Sequence, residues 1–297
     1  MGKMKRKIQD VRFESYVLNF ATSYFILIHK QNQNSPNMKF VQIATALVVS
    51  LFLSQNAIAQ KNIELTGKTL TLQLKGTEGK NGNAVVYNPD KDLYYATIAG
   101  NADYPLETFS ENGENLYQGE TGIDVRGVWY NSKTKNLEAN CYDAIGYYVI
   151  KTDSRGYAGT GTEEILPGRN QPSANACGNI DRKANQVLFY HSGSIVGYER
   201  ETGQKSDMSI YLNLPTKIDN INTTAFIYTG KKKMEIGLLN FEHKEVYLFN
   251  IKSGEHTATV KLPIESITHN RFRFGYANGY IFLFDVEARK WTGYQIF

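Results

Sequence analysis

The chain has 297 residues, with 33 Lys and Arg against 29 Asp and Glu, and it is rich in Tyr (20) and Phe (15). Seven of the basic and two of the acidic residues fall within the first 59, which leaves 26 basic and 27 acidic side chains in residues 60–297. That near-neutral remainder excludes a strongly basic nucleic-acid binder, and it is too apolar and too weakly charged to stay disordered.

The N-terminal segment is a leader. Lys39 follows Met38, an apolar run extends from Phe40 to Leu53, and Ala57-Ile58-Ala59 precedes Gln60. A positive start, a short apolar stretch and small residues spaced A-x-A make a secretory signal peptide over residues 38–59, cleaved after Ala59. The run is too short to cross a bilayer core of ~30 Å as a helix, and no Cys follows it to carry a lipid. Met38 is then the start of translation and residues 1–37 an upstream extension, which has its own apolar patch from Phe20 to Ile28. The mature chain is expected in the periplasm or outside the cell, with no membrane span.

From residue 60 onward no stretch has helical apolar spacing. A strand is expected at Lys68–Lys75, where Leu70, Leu72 and Leu74 alternate. After it, short β-branched and aromatic runs are broken by Gly, Asn, Asp and Lys every eight to twelve residues, the pattern of an all-β fold. A Tyr followed by a polar turn recurs at Tyr87-Asn88-Pro89-Asp90, Tyr130-Asn131-Ser132-Lys133, Tyr228-Thr229-Gly230-Lys231 and Tyr276-Ala277-Asn278-Gly279, and Gly178-Asn179-Ile180-Asp181 falls in frame. Positions 88, 131, 179, 229 and 277 are 43, 48, 50 and 48 residues apart. Gly113, Gly156, Gly203 and Gly254 form a second series, with steps of 43, 47 and 51.

Each unit reads as four strands, shown in the fourth by Thr224–Thr229, Met234–Leu239, Glu245–Ile251 and Thr257–Leu262. Four antiparallel strands at this period mark a β-propeller blade. The pattern over 69–297 resembles secreted bacterial β-propellers of the YVTN/NHL-like kind, without the WD dipeptide. The last unit holds only Arg271–Tyr276, Tyr280–Val286 and Trp291–Phe297, one strand short. The Lys68–Lys75 strand would complete it, closing residues 60–297 as a single five-bladed domain; six blades is the alternative if that strand begins a degenerate blade. Closure also removes the open edge on which sheets aggregate.

Motifs for known chemistries fail on context. Gly67-Lys68-Thr69 lacks the Gly five residues earlier and precedes a strand, where a phosphate loop needs a helix. Asn88, Asp90 and Asp92 have calcium-loop spacing without the following Gly or terminal Glu. There is no HExxH pair and no GxSxG elbow, so no cofactor and no metal is expected. Cys141 and Cys177 are the only cysteines. In an oxidising compartment they form a possible disulfide, with two buried free thiols as the alternative.

One rim gathers the connections into each inner strand and those between second and third strands. Asp124, Arg126, Asp143, Tyr147, Asn175, His191, Asn222, His269 and Arg271 are the candidate ligand-binding residues there. Amides, imidazoles and guanidinium groups bond hydroxyls, and aromatic faces stack on sugars. The expected function is non-catalytic binding of a glycan, peptide or protein by a monomer. The alternatives are a glycoside hydrolase, whose paired carboxylates would come from Asp103, Asp124 and Asp143, or a structural scaffold.

Overall fold

The computed structural model describes residues 61–100, 104–181, 183–215 and 221–297; the segment read as a leader, the cleavage point expected after Ala59, and Asp103 lie outside them. Two short strands come first, β1 (Lys61–Ile63) and β2 (Thr69–Gln73). The first blade is β3 (Asn81–Asn88), β4 (Leu93–Ala99), β5 (Pro105–Ser110) and β6 (Asn115–Glu120). The second is β7 (Val125–Asn131), β8 (Asn136–Cys141), β9 (Tyr147–Thr152) and β10 (Ala158–Leu166). The third is β11 (Asn179–Asp181), β12 (Gln186–His191), β13 (Ser194–Glu199) and β14 (Lys205–Tyr211). The fourth holds β15 (Phe226–Tyr228), β16 (Ile236–Asn240), β17 (Glu245–Phe249) and β18 (His256–Lys261). The fifth supplies β19 (Phe274–Ala277), β20 (Tyr280–Asp285) and β21 (Lys290–Gln295).

These strands make five sheets, and the fold is a five-bladed β-propeller. The ring closes as its repeat requires. β2 pairs antiparallel with β21, setting Leu72 opposite Trp291, and so becomes the outer strand of the fifth blade. β1, three residues with no alternation to announce it, adds in parallel to β18 and gives the fourth blade a fifth strand. The buried Glu107 carboxylate fixes the chain as it leaves β2, accepting the amides of Lys75 (3.0 Å) and Gly76 (2.9 Å).

Strand alternation builds the core. On β4, Leu93 and Tyr95 pack toward the second blade, whereas Tyr94, Ala96 and Ile98 pack toward the fifth. On β17, Val246 and Leu248 face the fifth blade and Tyr247 and Phe249 the third. Five apolar clusters result, one between each pair of neighbouring blades.

The interface of blades two and three adds a polar layer to its apolar cluster. There β8 points Glu138 and Asn140 where its neighbours point hydrocarbon, and both are fully buried. Glu138 accepts hydrogen bonds from Trp129 (3.1 Å), Asn131 (3.1 Å) and Thr134 (2.8 Å), and a fork from Arg200 of the third blade (2.7 Å twice). Asn140 accepts the amides of Gly127 (2.9 Å) and Gly178 (2.8 Å), joining β7 to the approach of β11.

Gly113, Gly156, Gly203 and Gly254, the second repeat marker, sit at φ of 86°, 92°, 67° and 73°. Each donates its amide back across a hairpin, to Ser110, Asp153, Glu199 and Asn250, a backbone that side chains bearing Cβ resist.

The first marker needs one correction. Gly178-Asn179 is not a turn in frame with Tyr87-Asn88. Asp181 pairs with Gln186 as Asn88 pairs with Leu93 and Asn131 with Asn136. Ile180 is therefore the counterpart of Tyr87 and Tyr130. Gly178 is small for another reason: a Cβ there would lie 2.7 Å from Val187 and 2.8 Å from the Asn140 amide oxygen.

Candidate functional site

β3, β7, β11, β15 and β19 each end their sheet. Each therefore has one unpaired edge, and these edges converge on the ring's axis. The two ends of that axis differ.

At the end reached by the chain as it enters the inner strands, side chains from four blades meet. Arg126 of the second blade is buried, 4% exposed. It forks onto Asp124 (Nη2 to Oδ2, 3.0 Å) and donates through Nε to Asn175 of the third blade (3.0 Å). Its guanidinium lies 4.6 Å from the centroid of Tyr142 and 5.8 Å from that of Phe272 in the fifth blade. The Phe272 amide donates to Thr224 of the fourth (2.7 Å). Phe272 and Arg273 are consecutive non-glycine residues with φ of 52° and 59°, a strained backbone that carries Phe272 across to Arg126.

Three of the nine candidate residues, Asp124, Arg126 and Asn175, thus form one cluster, and the Asp124 carboxylate also accepts the Gly100 amide (2.8 Å). The sequence places Arg126 in a rim connection, but it lies inside β7. It is buried, because a guanidinium placed on the axis is covered by the blades converging there. Tyr147 is likewise core: fully buried, edge-on to Trp129 at 6.2 Å, its hydroxyl bonded to the Asn170 carbonyl. Asp143 pairs with Arg169. Asn222 caps its own turn through Thr224 (3.1 Å to N). His269 accepts the Arg271 amide (3.2 Å) and Arg271 is exposed, while half-buried His191 has an unpartnered Nδ1. Asn222 reaches the Phe272 amide only through Thr224, and no hydrogen bond or ion pair among the described residues joins the others to the Arg126 cluster.

The two cysteines are free thiols, both buried. They are not joined because Cys141 lies with Leu137 and Ala139 on the first-blade side of β8, whereas Cys177 belongs to the approach of the third blade, its Sγ 3.9 Å from the Asn175 carbonyl. Burial pushes both up in pKa, Cys177 to about 12, which leaves little thiolate for chemistry.

The opposite end of the axis is open. A cavity of about 660 Å³ lies there, and every inner strand contributes to its wall. Tyr87, Tyr130, Ile180, Tyr228 and Tyr276 are its repeated element, one per blade, with Trp129 and Phe297 beside them. Three of the four tyrosines are held by carboxylates of the adjoining turns. Tyr87 donates to Asp92 (2.7 Å), Tyr130 to Asp90 of the preceding blade, and Tyr228 to Asp181 of the preceding blade (3.3 Å). The Lys135 ammonium (2.8 Å) and the Tyr130 hydroxyl hold Asp90 below the usual carboxylate range. Burial, with Asp92 beside it, pushes Tyr87 up, and burial pushes Tyr276 up to about 12, so both phenols remain neutral.

None of the nine candidate residues lines this cavity. The signal for it was the Tyr of the turn repeat, legible as a blade marker but also the position each blade presents to the axis. Among the described residues no three His, Cys, Asp or Glu side chains are grouped to hold a metal ion, and no helix is long and apolar enough to cross a membrane.

The Arg126 cluster carries a prediction. Arg126→Ala leaves the Asp124 carboxylate, 16% exposed, without its counter-charge. Breaking such a pair costs about 3 kcal/mol, so a clear loss of thermal stability is expected in a melting experiment. A melting temperature within a degree or two of the parent's would contradict the structural role. His269→Ala, which removes one exposed turn contact, should leave stability nearly unchanged.

No protein-family model matches the chain, and no curated protein matches it in sequence. Among solved structures it is similar to the crystal structure of Myxococcus xanthus glutaminyl cyclase, with a TM-score of 0.51 and 10% identity over 79% of this chain and 98% of that one. It is also similar to a chain of a nidogen/laminin complex, with a TM-score of 0.40 and 9% identity over 69% of this chain and 73% of that one. At these identities the first likeness concerns the fold alone.

Proposed function

We propose that this protein is exported and acts as a non-catalytic binding protein, taking the end of a glycan or peptide into the open end of its axis. The observation that carries this reading is the 660 Å³ cavity walled by all five inner strands. Its size is that of a small-ligand site, and it combines aromatic surface with convergent polar groups. The rim chosen from sequence lies at the other end, where Arg126, Asp124 and Asn175 spend their hydrogen bonds on one another. The hydrolase reading needs carboxylates free to exchange protons with substrate, but Asp124 is held by Arg126 and Asp143 by Arg169.

The protein contains two tryptophans, of which Trp129 lines the cavity and Trp291 is buried with an unpartnered Nε1. Trp291→Phe therefore leaves a single tryptophan, Trp129, in the cavity wall while deleting no hydrogen bond. Ligands found on glycan and peptide arrays should shift or quench Trp129 emission saturably. A ligand that binds without touching Trp129, and loses affinity in an Arg271→Ala or Asn175→Ala variant, would place the site on the opposite rim.

A further inference from the structure

Resting on the axial pocket as the binding site, we propose that its ligand is an acidic saccharide, a uronic-acid residue at a chain end or within a short oligomer. Charge is the first observation. Residues 60–297 are almost neutral, yet the turns between first and second strands, which ring the cavity mouth, place Lys133, Lys183, Lys231, Lys232 and Lys233 at the surface. Among the described residues none of the five is in an ion pair. Lys183 and Lys231 line the cavity itself, and the Lys231 ammonium is 5.1 Å from the centroid of Phe297.

The carboxylates at the mouth cancel this charge only in part. Asp90 is paired with Lys135, whereas Asp92 accepts from Tyr87, and Asp181, itself in the lining, accepts from the Lys183 amide (3.0 Å) and Tyr228, neutral donors that bring no counter-charge. Among the described residues of the lining two lysines thus stand against one carboxylate, and neither lysine is ion-paired with it. A bound carboxylate would pair with them.

The wall decides between a sugar and a peptide. An extended peptide gains affinity by pairing along one exposed strand edge. Here five edges converge on the axis, and three of them, those of β11, β15 and β19, are only three or four residues long. Asn179, Thr229 and Asn278 in the lining offer hydrogen bonds in several directions, which suits a ring of hydroxyls. The partly exposed Tyr87, Tyr228, Tyr276 and Phe297 offer apolar surface for its C–H side. Lys183 and Lys231 take the carboxylate that distinguishes the acid from a neutral sugar.

The test uses the Trp291→Phe protein and follows Trp129 emission. The probes are trisaccharides of galacturonate, glucuronate and mannuronate, their neutral hexose counterparts, and a tri-glutamate peptide. At least one uronate should bind, at least tenfold more tightly than its neutral counterpart, and its affinity should fall as salt rises because exposed lysines are screened over ~10 Å at 0.1 M. Lys183→Ala with Lys231→Ala should weaken the uronate at least tenfold and leave the melting temperature unchanged. Equal affinity for acid and neutral sugar, or a double variant that binds the uronate as before, overturns the acidic-saccharide assignment and leaves the pocket standing. Preference for tri-glutamate overturns it in favour of a peptide. No change in Trp129 with any probe, when array ligands do bind the protein elsewhere, overturns the pocket reading itself.

Discussion

Deleting residues 60–75 should abolish cooperative folding. The deletion removes β1 and β2 together, and with them Ile63, Leu72 and Leu74, which are 8%, 0% and 5% exposed. Burying each such side chain contributes ~1.5–3 kcal/mol, so the three represent roughly 5–9 kcal/mol against a typical total stability of ~5–15 kcal/mol. Two further losses add to this. The edges of β18 and β21 are left open, and Glu107 loses the amide of Lys75. Leu72→Ala, a milder cut at the same seam, should cost ~2–5 kcal/mol. Urea denaturation followed by circular dichroism would check both. A deletion protein with a sharp transition near that of the parent would mean that the ring does not depend on its closing strand.

Glu138→Ala should be the most damaging single substitution in the polar interface. It strips Arg200, only 12% exposed, of its partner and leaves the Trp129, Asn131 and Thr134 donors unanswered. Removing one side of a buried ion pair costs ~3–5 kcal/mol. Glu138→Gln keeps the shape and some of the hydrogen bonds, and should cost less, about 1–3 kcal/mol. The pH dependence has a definite sign. Burial alone would raise the Glu138 pKa, but hydrogen bonds from Arg200, Asn131 and Thr134 outweigh it, and the carboxyl lies below its ordinary 4.5. The unfolded chain therefore takes up this proton first, and the Glu138 contribution is complete above pH 4.5 and declines as pH falls toward the folded value. The stability gap between parent and Glu138→Gln should accordingly narrow below pH 4.5. A gap that stays constant or widens on acidification would show that Glu138 is not ionised in the fold.

The architecture was legible because a propeller writes its period into turn chemistry. The glycines of the outer hairpins need positive φ, and Leu70, Leu72 and Leu74 alternate as a strand must. Where a blade lacks its marker the reading slipped. The third has Ile180 at the tyrosine position, and Gly178, small because of Asn140 and Val187, took the place of a turn residue. The site was harder to find. Both rims carry polar loops, and the spacing does not say which end of the axis is open. That depends on Phe272 reaching Arg126 from a blade half the chain away through a backbone strained at two consecutive residues. Burial of Arg126 is likewise a product of convergence, since nothing local to Asp124-Val125-Arg126 distinguishes it from an exposed turn. The tyrosine marker did name the lining residues, but as punctuation for strands rather than as a wall.

The central claim is that ligand enters the open end of the axis, among Tyr87, Tyr130, Tyr228 and Tyr276. The measurement that tests it most directly is a crystal structure of the protein with a ligand recovered from the arrays. Density for that ligand should lie within the cavity, in contact with residues of at least three inner strands and within reach of Lys183 or Lys231. Density instead beside Asn175, His269 and Arg271, with the cavity empty, would contradict the claim and return the site to the opposite rim.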